Sequence, residues 1–206
     1  MTIFLYIKYM ENIEYEAKYI DIDKNQIREK LRSLGACLIK QEYIQKRIAF
    51  HLPKENQISG AWIRVRDEQD KITMSLKIVN GDSILDQKEI CLIVNSFEEA
   101  EKFLTAIGCK KKSYQENKRE LWKIDDVEIM IDEWPFLEPF VEIEAQDSEE
   151  KVKEISTRLD FDYSKALFGA TDIIVQKKYG LSLETINNIP KISFDMENPY
   201  LNIDKM

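Results

Sequence analysis

A two-residue alternation recurs along this chain and decides what it can fold into. In Glu14-Tyr15-Glu16-Ala17-Lys18 the carboxylates and the ammonium occupy every second position, with Ile13, Tyr15, Ala17 and Tyr19 between them. Side chains of an extended strand alternate between faces, so Glu14, Glu16 and Lys18 share one face and the other is apolar. One such strand is an ordinary solvated edge, but the pattern returns. At 61–66, Ala61, Ile63 and Val65 oppose Trp62, Arg64 and Arg66. At 72–78, Ile72, Met74, Leu76 and Ile78 oppose Thr73, Ser75 and Lys77. Further on, Ile90, Leu92 and Val94 oppose Glu89, and Val127, Ile129 and Ile131 oppose Glu128, Met130 and Asp132. Finally, Val141 and Ile143 oppose Phe140, Glu142 and Glu144.

Amphipathic helices separate these strands. The first is expected from Lys24 to Leu34, with Asp23 and Gln26 as a capping pair, a stripe of Ile27, Leu31 and Leu34, and Gly35 as its stop. The second runs from Phe97 to Ile107 behind a Ser96/Glu99 capping box and ends at Gly108, and a third follows Ser148 with Val152, Ile155 and Leu159 inward. Strands are expected at 43–52, 61–67, 71–79, 87–94, 117–124, 126–133 and 139–145, with hairpin turns at 67–70 and 125–126. A helical segment follows Tyr163, and Gly180, Pro190 and Pro199 then break up a loosely structured tail. No low-complexity linker divides the chain.

If the helices cover the apolar faces, the charged faces line the inside of a closed or nearly closed antiparallel β-barrel, an α+β fold. That interior would hold Glu14, Glu16, Glu89, Asp132, Glu142 and Glu144 together with Lys18, Arg64, Arg66, Lys77 and Arg119. Burying so many ions without ligands would exceed the marginal stability of a domain. A water-filled tunnel that binds a polyanion and metal ions resolves the conflict. Oxygen-only carboxylate clusters suit Mg²⁺ or Mn²⁺, and forked arginines suit phosphate oxygens.

Composition narrows the function further. A net charge of −8 argues against a general nucleic-acid binder. Cys37, Cys91 and Cys109 show no C-x-x-C spacing and read as reduced thiols of a cytoplasmic protein. His51 is the only histidine, which sets aside histidine-based catalysis. The apolar run Thr2–Tyr9 is too short to cross a membrane. Residues 1–10 are expected to be a dispensable extension.

The ordered set of motifs resembles the CYTH proteins, or triphosphate tunnel metalloenzymes, which include class IV adenylate cyclases, thiamine triphosphatases and inorganic triphosphatases. The set comprises E-x-E-x-K at 14–18, R-x-R at 64–66, S-L-K at 75–77, Lys118-Arg119, Asp132 and Glu142-Ile143-Glu144. The resemblance covers residues 11–180 and leaves 181–206 as a tail packing on the domain. It implies that Glu14, Glu16, Asp132, Glu142 and Glu144 hold divalent metals, with Glu89 behind them. Lys18, Arg64, Arg66, Lys77 and Arg119 would grip the triphosphate, and Lys18 and Glu16 would be catalytic. The family often adds a basic residue or a tyrosine from a C-terminal helix, for which Lys165, Lys177, Lys178 and Tyr179 are the candidates. One departure stands out: where the family commonly has K-x-R, this chain has Asn117-Lys118-Arg119. Alternation lets only one of Lys118 and Arg119 point inward, and Arg119 is assigned that place.

The expected activity is metal-dependent hydrolysis of a small-molecule triphosphate: inorganic tripolyphosphate, thiamine triphosphate or a nucleoside triphosphate. The alternatives are a cyclase making cyclic AMP and pyrophosphate from ATP, and a non-catalytic polyphosphate or nucleotide binder. No nucleic-acid or membrane partner is expected, and the protein is expected to be a monomer or homodimer. Trp62, Trp122 and Trp134 are read as packing residues, Cys91 as a bystander on the tunnel wall, and Lys110-Lys111-Lys112 as a solvated loop.

Overall fold

Each of the three sequence-derived helices begins at a side chain that satisfies its free amides. The computed structural model describes residues 13–201, so the expected extension at 1–10 lies outside the described residues. Asp23 accepts from the amides of Asn25 and Gln26 at the start of α1 (Lys24–Ser33). Ser96 does the same for α2 (Phe97–Ala106), and Ser148 for α3 (Glu149–Arg158). Gly35 and Gly108, with φ of 77° and 93°, end α1 and α2 in the left-handed conformation a side chain resists.

Eight antiparallel strands form one curled sheet: β1 (Tyr15–Tyr19), β2 (Cys37–His51), β3 (Ala61–Asp67), β4 (Ile72–Val79), β5 (Gln87–Val94), β6 (Lys110–Ile124), β7 (Val127–Glu133) and β8 (Phe140–Ala145). Their order is β1-β8-β7-β6-β2-β3-β4-β5. Asp125 and Asp126 both take positive φ (49° and 64°), the conformation of a tight two-residue hairpin between β6 and β7. Among the described residues the edge strands meet at one end. There Ile13 bridges Lys88, the Glu14 amide donates to the Gln87 carbonyl (3.0 Å), and Gln87 Nε2 donates to the Glu16 carbonyl (2.9 Å). Among the described residues the barrel is therefore nearly closed, as the alternation required, and open along the rest of the β1–β5 seam.

Strands β2 and β6 are longer than expected, 15 residues each, and pair with one another along their length. Register shifts between Leu38 and Lys40, Lys40 and Tyr43, and Ala49 and Phe50 break the period-two pattern, and only the C-terminal parts, 43–52 and 117–124, read as strand. The same extension corrects the reading of Lys110-Lys111-Lys112 as a loop: all three open β6.

Most apolar outer faces are covered by helices, in separate clusters, whereas Ile90 and Leu92 on β5 stay exposed, against the expectation that helices cover every apolar face. Ala17, Ile129, Ile131, Val141 and Ile143 pack against Ile27 and Leu31 of α1 and Val152 and Ile155 of α3. Ile48, Phe50 and Val65 pack against Ala100 and Leu104 of α2. A third cluster joins Trp134, Leu137 and Phe140 to the C-terminal part of the chain. That part comprises α4 (Asp172–Tyr179), α5 (Leu183–Asn187) and β9 (Lys191–Ile192), and β9 pairs in parallel with β6 at Tyr114 and Gln115. Among the described residues no helix is long and apolar enough to cross a membrane.

Candidate active site

Because the period-two pattern survives in most strands, their ionisable side chains converge on one central cavity of about 540 Å³. Strand order sorts them by sign. β1 carries Glu16 and Lys18, with Glu14 just before it, and its neighbours β8 and β7 carry Glu142 and Glu144, and Asp132. Neighbouring β6, β2 and β3 carry Arg119, Arg47, and Arg64 and Arg66. An acidic wall thus faces a basic wall. β4 and β5 add Lys77 and Glu89 between them.

On the acidic wall, one carboxylate oxygen each of Glu14, Glu16 and Glu144 lies within 4.8 Å of the others. Lys18, 1% exposed, forms an ion pair with Glu16 and reaches Glu142 at 3.5 Å. Lys77 faces Glu14 at 2.5 Å and Glu16 at 3.1 Å. Burial lowers the pKa of Lys18, and its acidic neighbours offset only part of that. Burial, and then the charge of Glu14, pushes the Glu144 carboxyl up to about 8. Burial would raise Glu142 too, but the cations Lys18 and Arg119 hold it well below the usual carboxylate range.

The expected metal set divides. Asp132 is 0% exposed and lies behind Arg119, whose Nε and Nη2 donate to its two oxygens at 2.8 and 2.5 Å. Arg119 also binds Glu142. Despite burial, these two carboxylates hold Arg119 firmly charged. Glu14, Glu16 and Glu144 are the carboxylates whose oxygens converge, with lysines beside Glu14 and Glu16, while Arg119 holds Asp132 and Glu142.

On the basic wall, Arg64 Nη2 donates to both oxygens of Glu89 at 2.9 and 3.0 Å, and its Nε donates to Ser75 Oγ at 3.1 Å. Glu89 stays ionised against burial because Arg64, Lys77 and Arg66 surround it. Arg66 forms a long ion pair with Glu68 at 3.7 Å and also feels the charge of Glu89, and its buried Nε has no partner. Lys118 points away and pairs with Glu133 at 2.7 Å, so Arg119 is the inward member of the pair.

None of the four C-terminal candidates lines the cavity, which corrects that expectation. Lys165 is exposed beside Asp162, Lys177 is exposed, and Lys178 and Tyr179 both donate to the Phe136 carbonyl (3.0 and 2.7 Å). α4 turns Asp172 and Val175 to the barrel, which leaves residue 177 on the opposite side and 178 on the flank. Asn187 and Tyr200 line the cavity from farther along the chain. Trp62, Lys112 and Trp134, read as packing or loop residues, line it as well. Arg47 escaped the sequence reading entirely. Its signal was the inward series Tyr43, Gln45, Arg47 and Ala49, masked because Lys46 interrupts the apolar series opposite.

Comparison with known proteins agrees with this geometry. A family model described as the CYTH domain matches residues 12–174. A protein of Methanocaldococcus jannaschii named "Putative adenylate cyclase" is 28% identical over 169 residues, covering 81% of this chain and 96% of that protein. An X-ray structure of a "putative adenylate cyclase" from Vibrio parahaemolyticus superposes with a TM-score of 0.69 at 11% identity, over 80% of this chain and 98% of that one. A "putative adenylyl cyclase" from Hippeastrum, described as having a dominant triphosphatase activity, superposes with a TM-score of 0.53 at 12% identity, over 84% of this chain and 97% of that one. At these identities the two structures share the fold.

Proposed function

The chain belongs to the CYTH domain family, and on that premise we propose that it is a divalent-metal-dependent enzyme that hydrolyses a small-molecule triphosphate. The observation that carries this reading is the facing of the two walls. Three convergent carboxylates stand on one, and guanidinium groups stand on the other. A triphosphate needs both, because its own negative charge cannot lie against carboxylates without cations between them.

The donor set fits Mg²⁺ or Mn²⁺. Glu14, Glu16 and Glu144 offer oxygen alone, and the Glu144 carboxyl raised to about 8 marks a place short of positive charge. Held there by Glu14, Glu16 and Glu144, such an ion would neutralise the phosphate chain and polarise its phosphorus.

The protein's own groups supply the remainder. Arg64, Arg66 and Arg119 clamp the phosphate oxygens and stabilise the charge that grows on them during transfer. Lys77 spans Glu14 and Glu16 and is placed to turn to the phosphates when those carboxylates are neutralised. Lys18, whose pKa burial lowers, would in its uncharged form accept a proton from the attacking water. The water oxygen bonds to the terminal phosphorus as the bridging P–O bond breaks, and the shortened phosphate chain departs. Glu16 orients Lys18 through their ion pair.

A second reading, adenylate cyclase, is supported by the names of the relatives and by the continuation of the cavity past the arginines to Trp62 and Asn187. Product analysis separates the two. The protein is incubated with ATP, tripolyphosphate and thiamine triphosphate, each with Mg²⁺ or Mn²⁺. Orthophosphate from any of them supports hydrolysis, and cyclic AMP with pyrophosphate from ATP alone supports the cyclase. No product from any substrate would refute the enzyme.

A further inference from the structure

The departure at position 117 has a structural counterpart. Asn117 is fully buried on the inward side of β6, in the place where the K-x-R pattern puts a lysine. Its Oδ1 accepts from Nη2 of Arg47 on the adjoining strand β2, and its Nδ2 donates to Asp132 at 3.3 Å. The space a longer side chain at 117 would enter is filled by the guanidinium of Arg47.

Arg47 is only 6% exposed, yet the groups holding it are neutral. They are Gln45, Asn117 and the ring of Trp134, whose centroid lies 4.6 Å from the guanidinium carbon. Among the described residues no carboxylate pairs with it, and its buried Nε has no partner. In the sheet register it stands directly opposite Arg66, whose buried Nε is also unpartnered. Like charges across a strand pair destabilise it, and a buried cation without an anion costs several times more than a paired one. Burial, and then the charges of Arg66, Arg64 and Arg119, press on Arg47 to give up its proton. Both residues line the cavity. A protein that keeps Arg47 without a carboxylate beside an Arg66 paired only at 3.7 Å, with Glu68, is built around an anion that is not its own.

We propose that Arg47 is a triphosphate-binding residue that, with Arg66, grips the phosphate chain and replaces the lysine missing at position 117. The proposal rests on the triphosphate reading above. The side chain comes from a different strand but reaches the same part of the cavity, and it offers a planar fork in place of a point charge.

The test is calorimetric titration of inorganic tripolyphosphate into wild type, Arg47→Met, Arg47→Ala and Arg47→Ala/Asn117→Lys, with thermal melts of each. Arg47→Met is expected to bind about 10- to 100-fold more weakly, the worth of a lost charge-assisted hydrogen bond. Its ligand-free melting temperature should equal or exceed that of wild type, because a buried unpaired cation is gone. Asn117→Lys should recover most of the affinity that Arg47→Ala loses. If Arg47→Met does not fold, Arg47→Lys keeps the charge without the fork and should bind about tenfold more weakly. Wild-type affinity in Arg47→Met or Arg47→Lys, or a lowered melting temperature with unchanged affinity, would overturn the role of Arg47 and leave the triphosphate reading standing. No rescue by Asn117→Lys would overturn the replacement. Failure of wild type to bind tripolyphosphate would overturn the reading beneath both.

Discussion

Replacing Glu144 with glutamine should stabilise the metal-free protein at alkaline pH, and the size of the effect follows from its surroundings. The carboxyl is pushed from 4.5 to about 8 by burial and by Glu14. A raised carboxyl binds its proton in the folded state where the unfolded chain has already lost it. Stability from this group is therefore full below about pH 4.5 and is lost as pH rises towards 8. At about 1.36 kcal/mol per pH unit the whole span would be worth roughly 5 kcal/mol. Glu144 is only half-buried, and solvent relaxation reduces this to about 2 kcal/mol. For a chain of this length that is about 4–8 °C in melting temperature. Melts of wild type and Glu144→Gln in a chelator, from about pH 5 to 9, should diverge as pH rises, with the variant the more stable. Mn²⁺ should then raise wild type well above its metal-free value and the variant much less. Parallel melting curves across the whole range, or equal stabilisation of both proteins by Mn²⁺, would refute the convergent site.

Other consequences are as concrete. Arg64→Lys and Arg66→Lys should each weaken binding or turnover by about 10- to 100-fold on ATP and tripolyphosphate alike, since a lysine cannot offer paired donors; steady-state kinetics on both substrates checks this. Lys18→Met should abolish turnover while tripolyphosphate still binds, and calorimetry beside product assay separates those effects. Metal binding should release a proton as Glu144 ionises, so affinity for Mn²⁺ should increase from about pH 6 to 8, which titration in buffers of different ionisation enthalpy detects. Leu31→Ala, in the fully buried contact between α1 and the outer sheet face, should cost about 2–5 kcal/mol in denaturant unfolding without altering the cavity.

The charged interior was legible because β1, β3, β4, β7 and β8 keep strict alternation between a helix-covered face and the cavity. Any single strand could have faced solvent; only their agreement required a barrel. β2 and β6 were legible in part, since their bulges reset the register and Lys46 sits among apolar neighbours. Arg47 was hidden for that reason. Asp132 illustrates a different limit: alternation gives its face, but only the neighbouring strand shows that Arg119 takes both its oxygens. At the C-terminus the basic residues of α4 drew notice by type, whereas the barrel is met by Asp172 and Val175, whose facing depends on how the helix docks.

The central claim is that the two walls take a metal ion and a triphosphate together. Titration of tripolyphosphate in the presence of Mn²⁺ and in chelator tests it most directly. The account predicts that Mn²⁺ tightens tripolyphosphate binding at least about tenfold, and that tripolyphosphate tightens Mn²⁺ binding by the same factor, since the coupling is reciprocal. Binding of each that ignores the other, or no binding of tripolyphosphate in either condition, would contradict it.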